Sequence, residues 1–253
     1  MRYFFASDVH LGLDIPGHSA AEREQLFCRW LDMVAAELRS GGGALYLLGD
    51  IFDFWFEYRK VAPMGFSRVI GRLAGMHDEG IEVHFFTGNH DTWTFGYLEK
   101  ETGMIVHRSP FTADIAGVKV MMGHGHRIEA KGIPKGQRLL NRLFNSKAAY
   151  AIFSRLIHPD AAMTLGHRWS HSNRCSRDIS HTFTDKEPIV EFAHKSIAQG
   201  GYNAPDIFVF GHMHTPVIYP LDDRRGIVIL GQWITDPVYA VLDEEGIELI
   251  GYR

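Results

Sequence analysis

The chain has 253 residues, 45% hydrophobic and 22% charged, with 26 glycines, 10 prolines and a formal net charge of −4. This composition supports a sizeable buried core and excludes disordered, collagen-like and coiled-coil classes, while the length still suits one large α/β unit, expected to be a single domain over 1–253. No apolar run approaches the roughly 18–20 residues that span a bilayer, and Asp8 follows too soon for a signal peptide, so a cytoplasmic protein is expected.

Cys28 and Cys175, the only cysteines, form no disulfide framework and fit a reducing compartment. Fifteen histidines are many for this length and direct attention to metal ligands. Charge is uneven: Arg127 to Arg177 holds ten Lys or Arg against two acids, on an otherwise acidic chain. A basic block of this kind meets an anionic partner or forms a solvated face.

In chain order, Tyr3 to Ala6 reads as a short apolar strand, and Glu22 to Leu38 carries Leu26, Phe27, Trp30, Leu31, Val34, Ala35 and Leu38 near a 3.6 period, which predicts a helix. Ser40-Gly41-Gly42-Gly43 stops it. Ala44 to Leu48 is the second strand, Phe66 to Met76 the second helix and Ile81 to Thr87 the third strand. Val118 to Met122, Ile207 to Phe210, Ile227 to Leu230, Val238 to Leu242 and Ile247 to Gly251 complete the predicted strands. Alternating strands and helices with a strand-rich end imply a layered α/β domain with at least one sheet of mixed direction.

The stretch from about 128 to 180 lacks strand signal. Gln137 to Leu156 has Leu139, Leu140, Leu143, Phe144, Ala148, Ala151, Ile152 and Leu156 at helical spacing among Arg138, Arg142, Lys147 and Arg155. The expectation is a helical cap, whose basic amphipathic helix either packs on the sheet or meets a membrane surface or amphiphilic substrate.

Five clusters follow expected strands: Asp8-Val9-His10, Gly49-Asp50-Ile51-Phe52-Asp53, Gly88-Asn89-His90-Asp91, Gly123-His124-Gly125-His126 and Gly211-His212-Met213-His214. Loops at strand C-termini converge on one crevice. Residues at i and i+2 of an extended end point the same way, so Asp8 with His10, and His212 with His214, can each supply two donors to one place. Asp8, His10, Asp50, Asn89, His124, His212 and His214 offer oxygen and nitrogen but no thiolate, too many for one ion with an open position and enough for two. Such donors suit Mn²⁺, Fe or Zn²⁺ better than Ca²⁺, without choosing among the three; Mn²⁺ is the expectation.

With these motifs complete from Asp8 to His214, the chain resembles the calcineurin-like metallophosphoesterases. The resemblance implies a four-layer α/β/β/α sandwich of mixed sheets with a helical cap insertion. It also implies two divalent metal ions, one on Asp8, His10, Asp50 and His214, the other on Asp50, Asn89, His124 and His212, with Asp50 bridging. In that family a metal-bridging hydroxide attacks phosphorus, a histidine in the place of His90 stabilises the transition state or assists the leaving oxygen, and the carboxylate in the place of Asp53 orients it. His126 is the alternative to His124, and Asp91 is expected to brace its turn.

Within the family, the UDP-2,3-diacylglucosamine pyrophosphatases of lipid A biosynthesis are most similar. Ser7-Asp8-Val9-His10-Leu11-Gly12, Gly49 to Phe56 with its Trp55, the insertion, and Leu230-Gly231-Gln232-Trp233 resemble that branch. Departures are His90 where the branch has Arg, Asp53 for Glu and His126 for Asp. The resemblance implies a UDP-linked acylated sugar cleaved to UMP and the sugar 1-phosphate, at a peripheral contact with the inner face of the membrane, with no nucleic acid or protein partner. Leu139, Leu143, Phe144, Ile152, Phe153 and Leu156 are candidates for an acyl channel, and Ser172, Asn173, Arg174 and Trp55 for substrate contacts. The alternative is a dimetal enzyme acting on a soluble nucleotide or phosphodiester.

Overall fold

The structure is a computed structural model that describes residues 1–58, 60–129, 146–174 and 183–253; positions 147–149, 151 and 167–174 enter as helix backbone only. Strands β1 (Arg2–Ala6), β2 (Gly43–Leu47), β3 (Glu82–Phe86), β4 (Ile105–His107), β5 (Phe111–Ile115), β6 (Val118–Gly123), β7 (Ile207–Phe210), β8 (Val217–Pro220), β9 (Gly226–Ile229), β10 (Val238–Asp243) and β11 (Gly246–Gly251) form two sheets. The first has the order β11-β10-β1-β2-β3-β4, and the second β5-β6-β7-β9-β8. In the first, β1 to β4 run parallel, β10 pairs antiparallel with β1, and β11 antiparallel with β10. In the second, β6, β7 and β9 are parallel, flanked by antiparallel β5 and β8. Both sheets are mixed, as expected.

The nearly continuous apolar strands follow from burial on both faces. Phe4 and Ala6 of β1, with Leu45 and Leu47 of β2, face a helical layer, while Phe5, Ala44 and Tyr46 face the opposite sheet. Val209 points into the inter-sheet core, and its neighbours Phe208 and Phe210 point to helices on the far side. A strict period of two therefore serves two cores at once.

Helix α1 (Ala20–Gly41) starts where the Ser19 hydroxyl accepts the Glu22 amide and stops at Gly42, whose N–H reaches Leu38 O. With α2 (Ser67–Asp78) it covers the first sheet through Phe27, Trp30, Leu31, Val34, Val69 and Leu73. Each such side chain contributes about 1.5–3 kcal/mol by leaving water. Helix α7 (Pro188–Gly200) covers the second sheet with Ile189, Val190 and Ala193 against Phe208, Phe210, Ile227 and Ile229. The layers are helix, sheet, sheet, helix.

Shorter helices are α3 (Tyr97–Thr102), α4 (His126–Glu129), α5 (Lys147–Leu156) and α6 (Pro159–Arg174). The last two belong to the expected cap. Of the helix expected over Gln137 to Leu156, the part before 146 lies outside the described residues. Among the described residues no helix is long and apolar enough to cross a membrane.

Candidate active site

Every motif sits where the topology brings loops together. Asp8 and His10 follow β1, Asp50 and Asp53 follow β2, Asn89 and His90 follow β3, His124 follows β6, and His212 and His214 follow β7. All five are parallel strands ending on one side of the sandwich. Asp8, His10, Asp50, His212 and His214 adopt left-handed backbone, with φ of 53°, 51°, 51°, 72° and 59°. For residues bearing a Cβ this conformation costs of order 1–3 kcal/mol each, and such strain gathers at functional sites. It turns each side chain back over the strand end.

Three donors meet at the first cluster. His214 Nε2 is 3.1 Å from Asp8 Oδ1 and 3.3 Å from His10 Nε2, which is 3.8 Å from Asp8 Oδ1. At the second, His124 Nε2 lies 3.2 Å from each of Asp50 Oδ2, Asn89 Oδ1 and His212 Nδ1. Donors bound to one cation at about 2.1 Å sit roughly 3.0–3.5 Å apart around its shell. Most of these separations have that size. Two imidazole nitrogens facing each other at 3.3 Å gain little as a hydrogen bond when each is turned toward the same carboxylate oxygen. Asp8 Oδ1 is itself fully buried without a hydrogen-bond donor of acceptable geometry. Both clusters fit divalent cations.

The surrounding groups fix which atom faces inward. His124 Nδ1 donates to Leu48 O at 2.9 Å, leaving Nε2 with its lone pair toward the cluster. Asp8 Oδ2 accepts the Ser7 hydroxyl at 2.6 Å and the His212 amide at 2.9 Å, so Oδ1 is the inward atom. Asp50 Oδ1 accepts the His90 amide at 2.8 Å, and Oδ2 faces His124. Two glycines permit this packing: a Cβ at Gly88 would lie 2.1 Å from Asp50 Oδ1, and one at Gly211 2.6 Å from Asp8 Oδ2.

Electrostatics point the same way. Burial alone would raise Asp8 and Asp50, but neighbouring histidines, His214 for the former and His124 for the latter, hold both well below the usual carboxylate range. Burial would lower His124; Asp50 beside it outweighs that and raises it to about 10. The same negative potential that favours a proton there favours a divalent cation.

Asp91 braces its turn: Oδ1 accepts the Gly88 amide at 2.7 Å and Oδ2 the Ile51 amide at 2.8 Å, tying the β2 and β3 loops together. Burial and the charge of Asp50 push it up to about 7. His126 stands with its ring 5.4 Å from His124 and outside both clusters, and burial with the two nearby histidines, His124 and His212, holds it well below the usual range.

His90 lies between the clusters, its ring edge-on to His10 at 5.0 Å and its Nε2 3.9 Å from Asp50 Oδ2. Its Nδ1 is 2.8 Å from the main-chain oxygen of Asp53, whereas the Asp53 carboxylate lies 3.6 Å from His10 Nδ1. Asp53 thus meets His90 through its backbone oxygen, and its carboxylate stands close to the ring nitrogens of both His10 and His90.

Trp55 is corrected. It is fully buried against Phe52, Phe66 and Tyr97, and its indole donates to Glu57 at 3.0 Å, so it does not frame a substrate. The aromatics that do meet the cap are its neighbours. Phe56 contacts Tyr150 and Phe153 of α5 at 5.6 and 5.0 Å, Phe95 lies 3.6 Å from Tyr150, and Phe54 packs under Gly166 of α6. Ser172, Asn173 and Arg174 occupy the last turn of α6, and their side chains lie outside the described residues, as do Leu139, Leu143, Phe144 and Cys175.

Sequence reasoning missed Ser7, Arg23 and Glu57. Buried Glu57 accepts the amides of Phe95, Tyr97 and Leu98, capping α3 from another loop. Its place beside the aromatic run was the one available signal.

Comparison with known proteins bears on the whole arrangement. Residues 1–216 match the family model for calcineurin-like phosphoesterase. A protein of Porphyromonas gingivalis named UDP-2,3-diacylglucosamine hydrolase is 34% identical, covering 96% of this chain and 94% of its own. One of the same name from Aeromonas salmonicida is 27% identical over 92% of this chain and 86% of its own. Among solved structures, a dimetal phosphatase from Danio rerio aligns over 99% of this chain and 95% of its own, at 14% identity and a TM-score of 0.47.

Proposed function

This chain belongs to the calcineurin-like phosphoesterase family, and from that premise we propose that it hydrolyses the diphosphate of UDP-2,3-diacylglucosamine to UMP and 2,3-diacylglucosamine 1-phosphate, in lipid A biosynthesis. The observation that carries the reaction class is the convergence of seven oxygen and nitrogen donors in two clusters at parallel strand ends. Asp8, His10, Asp50 and His214 would hold one divalent ion, and Asp50, Asn89, His124 and His212 the other, with Mn²⁺ proposed and Fe or Zn²⁺ equally compatible with these donors. When bound, the ions supply Lewis-acid chemistry, making water more acidic and drawing charge from phosphate oxygens.

The chain's own groups supply the rest. With Nδ1 held by Asp53 O, His90 presents Nε2 toward the space between the clusters. A phosphate leaving group needs little protonation, so the contribution of His90, as an imidazolium with N–H at both nitrogens, is a charge-assisted hydrogen bond from Nε2–H to an oxygen on phosphorus while Nδ1–H stays on Asp53 O. Asp53, through its carbonyl for His90 and its carboxylate for His10, keeps both rings in register.

The likeness to relatives bearing this substrate in their name supports the diacylated sugar, and the cap supplies the apolar surface it needs. Ile152, Leu156 and Leu165 on α5 and α6 are 59%, 76% and 57% exposed, unusual for such side chains on adjoining helices. We assign them to acyl-chain and peripheral membrane contact, aided by the basic charge of the segment.

The test is UMP release from UDP-2,3-diacylglucosamine by Mn²⁺-loaded protein, beside a soluble UDP-sugar and a chromogenic diester. Strong preference for the diacylated substrate is expected. Turnover of the soluble compounds alone would transfer the same chemistry to a soluble phosphoester and refute the lipid assignment.

A further inference from the structure

Arg23 is an arginine only 4% exposed, in the first turns of α1, far in sequence from every motif except the first. A guanidinium carries five donors in a fixed fork, and burying it is costly unless acceptors meet it. Three acceptors for its two Nη groups come from one loop. Nη1 donates to His10 O at 3.0 Å and to Leu13 O at 2.8 Å, and Nη2 to His18 O at 3.5 Å.

The first of these is the carbonyl of a residue whose φ is 51°. His10 must hold that left-handed turn for Nε2 to come within 3.3 Å of His214 Nε2. Its amide is already tied, donating to Asp50 O at 3.0 Å, and Leu13 N donates to its carbonyl at 3.2 Å. Arg23 adds the charged donor on that carbonyl and ties it to the carbonyls three and eight residues on. The loop from 10 to 18 is thereby drawn onto a 22-residue helix that is itself packed on the sheet. The second cluster is supported differently: its histidines are fixed through Leu48 O and the Asp8 carboxylate, and its loops by the Asp91 carboxylate.

We propose that Arg23 is a positioning residue for the first metal cluster: its guanidinium locks the strained His10 turn, and through it the affinity of the Asp8, His10, His214 cluster for a divalent ion. The proposal rests on the dimetal reading above. Two opposing effects are separable. Locking the turn raises affinity, whereas a buried cation close to the cluster repels a second cation. The direct bond to the ligand's own carbonyl makes the geometric effect the larger one.

The test is Mn²⁺ titration of metal-free protein, read by calorimetry and by the electron paramagnetic resonance of bound ions, for wild type, Arg23→Met and Arg23→Lys. Wild type should bind two ions. Arg23→Met should bind one ion as wild type does and the other about 10–100-fold more weakly, the range seen when a ligand's supporting partner is lost. Arg23→Lys, which keeps the charge and a single point of donation, should fall between them and remains informative if Arg23→Met does not fold. Equal weakening of both ions, unchanged affinities, or tighter binding in Arg23→Met would each overturn the proposal. A wild type that binds no more than one ion would instead refute the dimetal reading on which it rests.

Discussion

Gly88→Ala adds one methyl group where the structure leaves no room. The new Cβ would stand 2.1 Å from Asp50 Oδ1 and 2.5 Å from Asp50 N, at the contact where the β2 and β3 loops cross. Ordinary carbon–oxygen contact requires over 3 Å, so one loop must retreat by roughly 1 Å. Overpacking of this kind costs about 1–3 kcal/mol. In a chain of this length each kcal/mol lowers the melting temperature by about 2–4 °C. The catalytic effect should be larger. Displacing Asp50 by about 1 Å also breaks its bond to the His90 amide, and misplacement on that scale costs about 10²-fold in rate. Thermal melts and turnover of a chromogenic diester measure both effects, with Gly71→Ala as control, since a Cβ there meets nothing within 4 Å. Wild-type melting and turnover in Gly88→Ala would refute the packing argument.

His90→Gln should retain both metal ions and lose about 10²–10³-fold in kcat, the usual loss for one transition-state donor; unchanged kcat would remove His90 from the mechanism. Trp55→Phe should lower the melting temperature, by severing the bond to Glu57, without changing KM for the diacylated substrate, and a raised KM would restore Trp55 as a substrate contact. Tyr150→Ala removes the ring seated on Phe95 and Phe56, so KM for the lipid substrate should rise while diester hydrolysis holds; parallel losses would contradict a cap role. Burial, and then the nearby His84, lower the pKa of His107, so the unfolded chain takes up this proton more readily than the native one. Stability should therefore fall as pH drops through the ordinary histidine range and below, and His107→Phe should flatten that slope in urea melts; identical slopes would dismiss the effect.

Much of this was legible because the fold repeats a single pattern. Apolar runs such as Phe4 to Ala6 and Leu45 to Leu47, each followed by a motif, announced parallel strands with ligands at their ends, and the structure places the strands within a residue or so of the expected bounds. Among the strands, those missed had weak local signal, whereas helix α7, also missed, carries a Pro at its start and apolar residues at helical spacing. Strand β4 has three residues, β5 is largely exposed at a sheet edge, and β8 is an edge strand ending at Pro220.

At the site, residue type and spacing pointed to the donors but not to their supports. Arg23 and Glu57 act through main-chain atoms of other loops, and a backbone acceptor leaves no mark in sequence. Trp55 misled for a related reason: an aromatic residue beside a catalytic motif reads the same whether it faces a ligand or the core, and only packing decides. The hydrogen bond that the Asp53 backbone oxygen accepts from His90 is likewise not revealed by spacing along the chain.

The most direct measurement is the electron paramagnetic resonance spectrum of the protein loaded with Mn²⁺. Two ions sharing the Asp50 carboxylate should give a spin-coupled signal at two ions per chain, lost on Asp50→Ala. A spectrum of isolated, uncoupled Mn²⁺ at any loading, or a coupled signal that survives Asp50→Ala, would contradict the shared two-cluster centre.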